Sequence, residues 1–348
     1  MLANIDNLLS RNLQIEIDVI LSRDIAIPSS VKSKVEIYRY SSTPKIENLF
    51  NSLELDGSYR QGFWRYSLER LIALTEHHKL FPQDQLLHIE SDILLLESFP
   101  FKSFERIQNL AWSILDDDRD VAALLFSPNF ASSAWLQEQI IELLNSKSTV
   151  NDMQILSMLS NKFPTEVTIL PTLPKGHEKI FSNSSNVSDF NKKRASENFD
   201  VFAGIFDAAP IGIWLTGSHG VNSFGISRRY DDKLVANSNS MINPSGMALK
   251  YLEGFGLYST SSQTPIPIHT LHIHSKNTKI FSGSGPKTIS KYILDSRNKR
   301  LARRFSSKVL WDLIVDNYKK KTLIRFLSWL PPFNKYRIIR DILQRRES

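Results

Sequence analysis

Leu86-Leu87-His88-Ile89-Glu90-Ser91-Asp92-Ile93-Leu94-Leu95-Leu96 is the stretch whose reading decides the fold. An apolar run enters it, two carboxylates sit two residues apart, and a second apolar run leaves it. A short, nearly continuous apolar run bounded by polar residues predicts a strand buried on both faces, as in α/β proteins. Carboxylates are costly there unless paired, hydrogen-bonded or bound to a metal. At a strand end they would open into the crevice where α/β sheets bind ligands. The side-chain period of two points Glu90 and Asp92 the same way, so that they could share one cation or one ribose. A hard divalent ion, Mg2+ or Mn2+, takes oxygen ligands and bridges carboxylate to diphosphate. There it would neutralise the charge that grows on a departing nucleoside diphosphate. The plainer alternative is an acidic turn that merely ends a strand.

Working outward, 348 residues suffice for one large α/β domain with an appendage, or for two domains. A hydrophobic fraction of 41% and an aromatic fraction of 10% predict a packed globular core. The absence of cysteine excludes disulfides, thiolate metal sites and cysteine nucleophiles, and fits a reducing cytoplasm. Met1-Leu2-Ala3-Asn4-Ile5-Asp6 lacks the basic start and apolar centre of a secretory signal. No run approaches the ~18 apolar residues of a membrane span. The net charge of +7 is unevenly placed. Residues 286–348 carry 17 Lys/Arg against 5 Asp/Glu, while the rest of the chain is net acidic. That asymmetry predicts an anionic partner for the tail.

Taken in order, the chain predicts a short helix over 3–11 and strands at Ile15–Leu21 and Val35–Tyr40. Residues 61–79 read as a helix whose Trp64, Leu68, Leu71 and Ile72 form a buried stripe. Arg70 lies off that stripe, either on a solvated face or in contact with a nucleotide. Val121–Phe126 and Glu166–Leu170 read as strands, with helices over 132–146 and 151–162 between them and Asn151-Asp152 as a cap. Alternation of strands and helices predicts a largely parallel sheet. Residues 182–199 are polar and aperiodic and read as a long surface loop or lid. Asp207 stands where a helix would start after Ile205-Phe206. Toward the end of the domain, Leu271-His272-Ile273-His274-Ser275-Lys276 places His272, His274 and Lys276 on one strand face. One histidine would ligate a metal and the other orient it, with Lys276 on a phosphate; the alternative has both rings bonded to backbone. From Ser290 the chain turns helical, with Leu323, Phe326, Leu327 and Leu330 striped beside Lys319, Lys320, Lys321 and Arg325.

These pieces resemble, in order, bacterial glycosyltransferases of the A-type fold that build capsular or lipopolysaccharide glycans. Phe63-Trp64-Arg65 through Arg70 resembles the helix before the acidic motif, and His88-Ile89-Glu90-Ser91-Asp92 resembles its Asp-x-Asp strand end. Asn151-Asp152-Met153, Phe206-Asp207-Ala208-Ala209-Pro210-Ile211-Gly212 and Leu271–Lys276 resemble the later motifs. The first acidic position is Glu90 rather than Asp, and Ser218-His219-Gly220 follows Gly217 where a Pro-Arg-containing turn is usual. The chain opens on an expected helix where the resemblance implies a strand.

The resemblance implies an α/β nucleotide-diphospho-sugar transferase-like fold with a mostly parallel mixed sheet over 1–285, followed by a basic amphipathic helical tail over 286–348. It implies a cytoplasmic enzyme moving a sugar from a nucleotide-sugar donor to a hydroxyl of a glycan or glycolipid, with Mn2+ or Mg2+ as cofactor. Asp92, His272 and His274 would hold the metal. Arg70, Glu90 and Lys276 would hold the nucleotide sugar, and Asp207 would serve as acceptor base. The tail would dock on an anionic membrane surface, peripherally on its inner face, and no nucleic acid is expected. The rival expectation is a degenerate, non-catalytic homologue that binds a glycan or an assembly partner.

Overall fold

The computed structural model describes residues 5, 8–9, 15–21, 27–55, 62–146, 149–182, 187–216, 240–244, 247–252 and 256–273. His274, Lys276 and the 286–348 tail lie outside the described residues.

In chain order the strands and longer helices are β1 (Asp18–Leu21), β2 (Glu36–Arg39), α1 (Pro44–Asn51), α2 (Phe63–His78), β3 (Leu86–Ile89), β4 (Ile93–Leu95), β5 (Leu110–Ile114) and β6 (Asp120–Ser127). There follow α3 (Phe130–Ser146), α4 (Asp152–Lys162), β7 (Val167–Leu170), α5 (Asp189–Glu197), α6 (Pro210–Thr216), β8 (Leu249–Leu252), β9 (Gly256–Ser259), β10 (Ile266–Pro267) and β11 (Thr270–His272). The main sheet runs β3-β6-β5-β7, β1 pairs with β2, β4 with β11, and β8–β10 form a third small sheet.

The architecture is α/β with a mixed sheet, but it is not mostly parallel. Among the described strands only β1/β2 and β5/β7 pair in parallel, against five antiparallel pairs. The reason is local. Only residues 115–119 separate β5 from β6, enough for a hairpin and too few for the crossover a parallel pair requires. The Asp189–Glu197 stretch also departs from the expected loop. It is a helix capped by the Ser188 hydroxyl, which accepts from the Asn191 amide at 3.2 Å. Asp117 anchors it by accepting from the Ser188 amide and from Asn191 Nδ2, each at 2.8 Å. Capping and side-chain bonds form a helix there without an apolar stripe.

Packing follows the pleat. Along β5, Leu110, Trp112 and Ile114 join one core and Ala111 joins the other, so both faces of the sheet are covered. The first face carries Leu68, Leu71 and Ile72 of α2, Leu136 and Ile140 of α3, and Ile155 and Leu159 of α4. The second is aromatic, with Phe99, Phe104, Phe126, Phe202 and Phe206 in mutual contact. Trp64, expected in the buried stripe of α2, is only half-buried. No helix among the described residues is long and apolar enough to cross a membrane.

One carboxylate sits deep in this packing. Asp120 is 1% exposed, and its Oδ2 accepts from Trp112 Nε1 at 2.9 Å and Ser160 Oγ at 2.6 Å. Burial pushes its carboxyl up to about 6, against the pull of those two donors. A folded value above the unfolded one means that the folded protein binds the proton more tightly. Stability is therefore lost as pH rises from about 4 through 6, by about 3 kcal/mol in total. Both donors converge on one oxygen, so an amide can replace the carboxyl without losing either bond. Asp120→Asn should flatten the stability profile between pH 4 and 7 in urea unfolding. An unaltered slope in that window would show that Asp120 does not titrate there.

Candidate metal centre

The acidic stretch is two strands rather than one. β3 ends at Ile89, where the Glu90 amide still donates to the Ala123 carbonyl at 2.8 Å. The chain then turns through Glu90–Asp92, closed by the Ile93 amide on the Glu90 carbonyl at 3.0 Å, and enters β4. The two carboxylates meet through this turn, not through the pleat of a continuous strand.

β4 changes partners as well as direction. It pairs antiparallel with β11, setting Ile93 opposite His272, and the Ile273 amide donates to the Asp92 carbonyl at 2.7 Å. That register brings the His272 imidazole against Asp92, across 180 residues of sequence. Candidate ligand atoms of Glu90, Asp92 and His272 all lie within 4.8 Å of one another. Asp92 is 2% exposed and His272 8% exposed, so two of the three are buried.

The imidazole is oriented by backbone. Nδ1 faces the Ala208 carbonyl at 3.2 Å and Nε2 faces Asp92 Oδ2 at 3.3 Å. A carbonyl oxygen only accepts, so Nδ1 carries a proton, and Nε2 is left to meet the carboxylate. A lone pair facing a carboxylate is repulsive unless a proton or a cation lies between them. Two carboxylates and one such nitrogen form a donor set suited to a first-row divalent ion.

Asp207 is what places His272. Its Oδ1 accepts from the amides of Ala209 (3.0 Å) and Ile211 (2.9 Å), and its Oδ2 from those of Gly212 (2.7 Å) and His272 (3.0 Å). Burial pushes the carboxyl up, while the His272, Ile211 and Gly212 amides pull it back. Four donors on two oxygens leave no lone pair for a substrate hydroxyl, so the geometry makes Asp207 a structural cap. Gly212 completes the arrangement, because a Cβ there would lie 1.9 Å from the His272 carbonyl oxygen. Only glycine lets α6 approach β11 this closely.

Arg70 reaches the same cluster from α2. It pairs through Nη1 with Glu90 and through Nη2 with Asp152 at 3.1 Å, so it lies on neither a solvated face nor a surface open to all ligands. Asp152 and His88 are the members that the sequence reading missed. Asn151-Asp152 gives the expected capping box, in which Asn151 Oδ1 accepts from the Gln154 amide, but Asp152 next to it turns inward to Arg70. Burial pushes the Asp152 carboxyl up and the Arg70 guanidinium pulls it back. The alternation of β3 puts His88 on the same side as Glu90. Burial, with Arg70 nearby, pushes its ring down to about 3, so it stays neutral. His269, by contrast, is a core histidine bonded to the Phe202 carbonyl at 3.1 Å.

No family model, curated protein or solved structure matches the chain.

If Asp207 is a cap, Asp207→Asn sets an amide NH2 against two backbone N–H groups and should cost about 3 kcal/mol or more of stability. Urea unfolding checks this; a loss below about 1 kcal/mol would remove the structural assignment.

Proposed function

We propose that the chain is a divalent-cation-dependent glycosyltransferase, moving a sugar from a nucleoside-diphosphate donor to a hydroxyl of a glycan or glycolipid. The observation that carries this reading is the convergence of Glu90, Asp92 and His272, with the His272 nitrogen oriented toward Asp92 by the Ala208 carbonyl. Asp92 and His272 would hold Mn2+ or Mg2+, with Glu90 completing the set or contacting the donor ribose. When bound, such an ion supplies Lewis-acid stabilisation of a leaving diphosphate. The chain's own residues fix the site: β4/β11 pairing sets its depth, Asp207 sets the imidazole, and Arg70 restrains Glu90. His274 and Lys276 keep their assignments, to the metal and to the phosphates, from sequence alone.

A second reading, a non-catalytic homologue that binds a glycan or partner, is favoured by one observation. Asp207, the residue expected to act as base, is saturated by backbone amides. Either way the basic 286–348 segment would hold the protein at an anionic membrane surface, each cation near it contributing about 1 kcal/mol.

Turnover separates the two readings. Asp92→Asn should keep the fold and lower Mn2+-dependent hydrolysis or transfer of nucleotide sugars by ~10²-fold or more. It should also weaken Mn2+ binding measured calorimetrically. Turnover unchanged by the substitution would remove Asp92 from the metal. Mn2+ binding without turnover of any donor would leave the non-catalytic reading.

A further inference from the structure

Arg70 is caught between two carboxylates, Glu90 and Asp152, at the rim of the acid–imidazole cluster. It is not a spare cation facing solvent. Nor is Glu90 a free ligand, since the oxygen on Arg70 belongs to the carboxylate that comes within reach of Asp92 and His272. Counting charges, three carboxylates (Glu90, Asp92 and Asp152) surround one guanidinium. Among the described residues the cluster carries more carboxylates than guanidinium groups, which disfavours an anion, and Arg70 is already engaged.

A divalent cation changes both conditions. It cancels the excess negative charge, and it competes with Arg70 for Glu90. Two positive centres on one carboxylate repel each other, which loosens Arg70 from Glu90, and an anion lying against both relieves the repulsion. We propose that Arg70 is a latch: Glu90 and Asp152 hold it closed, and cation binding releases it to an anionic group of the ligand, so that the anion waits for the cation. The latch rests on the cation reading above and adds to it an order of binding and a positioning residue, Asp152. Asp152 touches no ligand. It acts by holding the second arm of the guanidinium.

The arrangement is suited to this use. Arg70 and Glu90 keep 23% and 19% of their side-chain surface exposed, against 7% for Asp152, so the moving pair is outermost and the anchor is deep. The capping box of α4 is made by Asn151 and Gln154 rather than by Asp152, so the anchor can be weakened without removing the helix cap.

The test uses the full chain and pyrophosphate as probe, with affinities read by calorimetry. In chelator, the wild-type protein should bind pyrophosphate at least about tenfold more weakly than with saturating Mg2+, a coupling of ordinary allosteric size. Asp152→Asn should shift the two ligands in opposite directions. Metal-free pyrophosphate binding should tighten roughly tenfold, while Mn2+ binding alone weakens a few-fold as one nearby charge is lost. Adding Arg70→Met to Asp152→Asn should abolish the gain. Asp152→Ser serves as a second release variant and should show the same gain. The latch is overturned if neither release variant tightens metal-free binding, or if the gain survives loss of Arg70. Mn2+ binding to the wild-type protein, read by electron paramagnetic resonance, reports on the cation site itself: its absence would remove the metal reading, whereas its presence with no gain in the release variants would remove only the latch.

Discussion

One buried carboxylate carrying four amide hydrogens holds this site together. Asp207 joins the first turn of α6 to the backbone of β11, with two donors on each oxygen. Hydrogen bonds to an ionised group are the stronger kind, and four of them converge here on one buried side chain. Among the described residues β11 is three residues long and pairs with β4 alone. A strand so short is placed by whatever grips its ends, and here Asp207 grips the His272 amide. The close passage at Gly212 then lets helix and strand share that carboxylate. Asp207 thus adds to the β4/β11 register a second hold on the imidazole's relation to Asp92.

What Asp207 fixes is a nitrogen aimed at a carboxylate. The Ala208 carbonyl, from the loop that Asp207 also organises, takes the Nδ1 proton and leaves Nε2 toward Asp92. A fully buried acid and base in contact can be an ion pair, which costs desolvation on both sides. They can equally be two ligands sharing an ion, which turns that cost into affinity. Glu90, paired with Arg70, lies within 4.8 Å of both groups and would be the third donor of the proposed ion.

Sequence exposed the parts of this arrangement and concealed their assembly. Glu90 and Asp92 stood out because carboxylates interrupt an apolar run, and His272 because it alternates with other polar residues in a strand. The α2 helix and β6 were legible from apolar periodicity, which is local. Missed were β5, whose Leu-Ala-Trp-Ser-Ile reads equally as a helix turn, and with it the hairpin that makes the sheet mostly antiparallel. Asp207 was placed at a helix start and assigned as acceptor base, but the donor arriving from His272 is 65 residues away and leaves no local trace. Asp152 was hidden for the same reason, since its capping-box setting explained it fully until Arg70 was found beside it. Pairings set by tertiary register are the class of fact that a single sequence conceals.

The site divides by depth. Asp92, His272 and Asp207 are each at most 8% exposed, and strand pairing and backbone amides fix the backbone that carries them. Arg70 and Glu90 are held only by each other and by Asp152, through side chains with several rotatable bonds. On the proposed reading, a cation would meet two ligands already in place and one that must be taken from an arginine. Rigid ligands give affinity through pre-organisation, whereas a contested ligand gives dependence on what else is bound. Were Glu90 as buried as Asp92, the proposed site would hold an ion and nothing more. Its place at the rim, shared with a guanidinium, is what would let a bound ion change the charge presented to the next molecule.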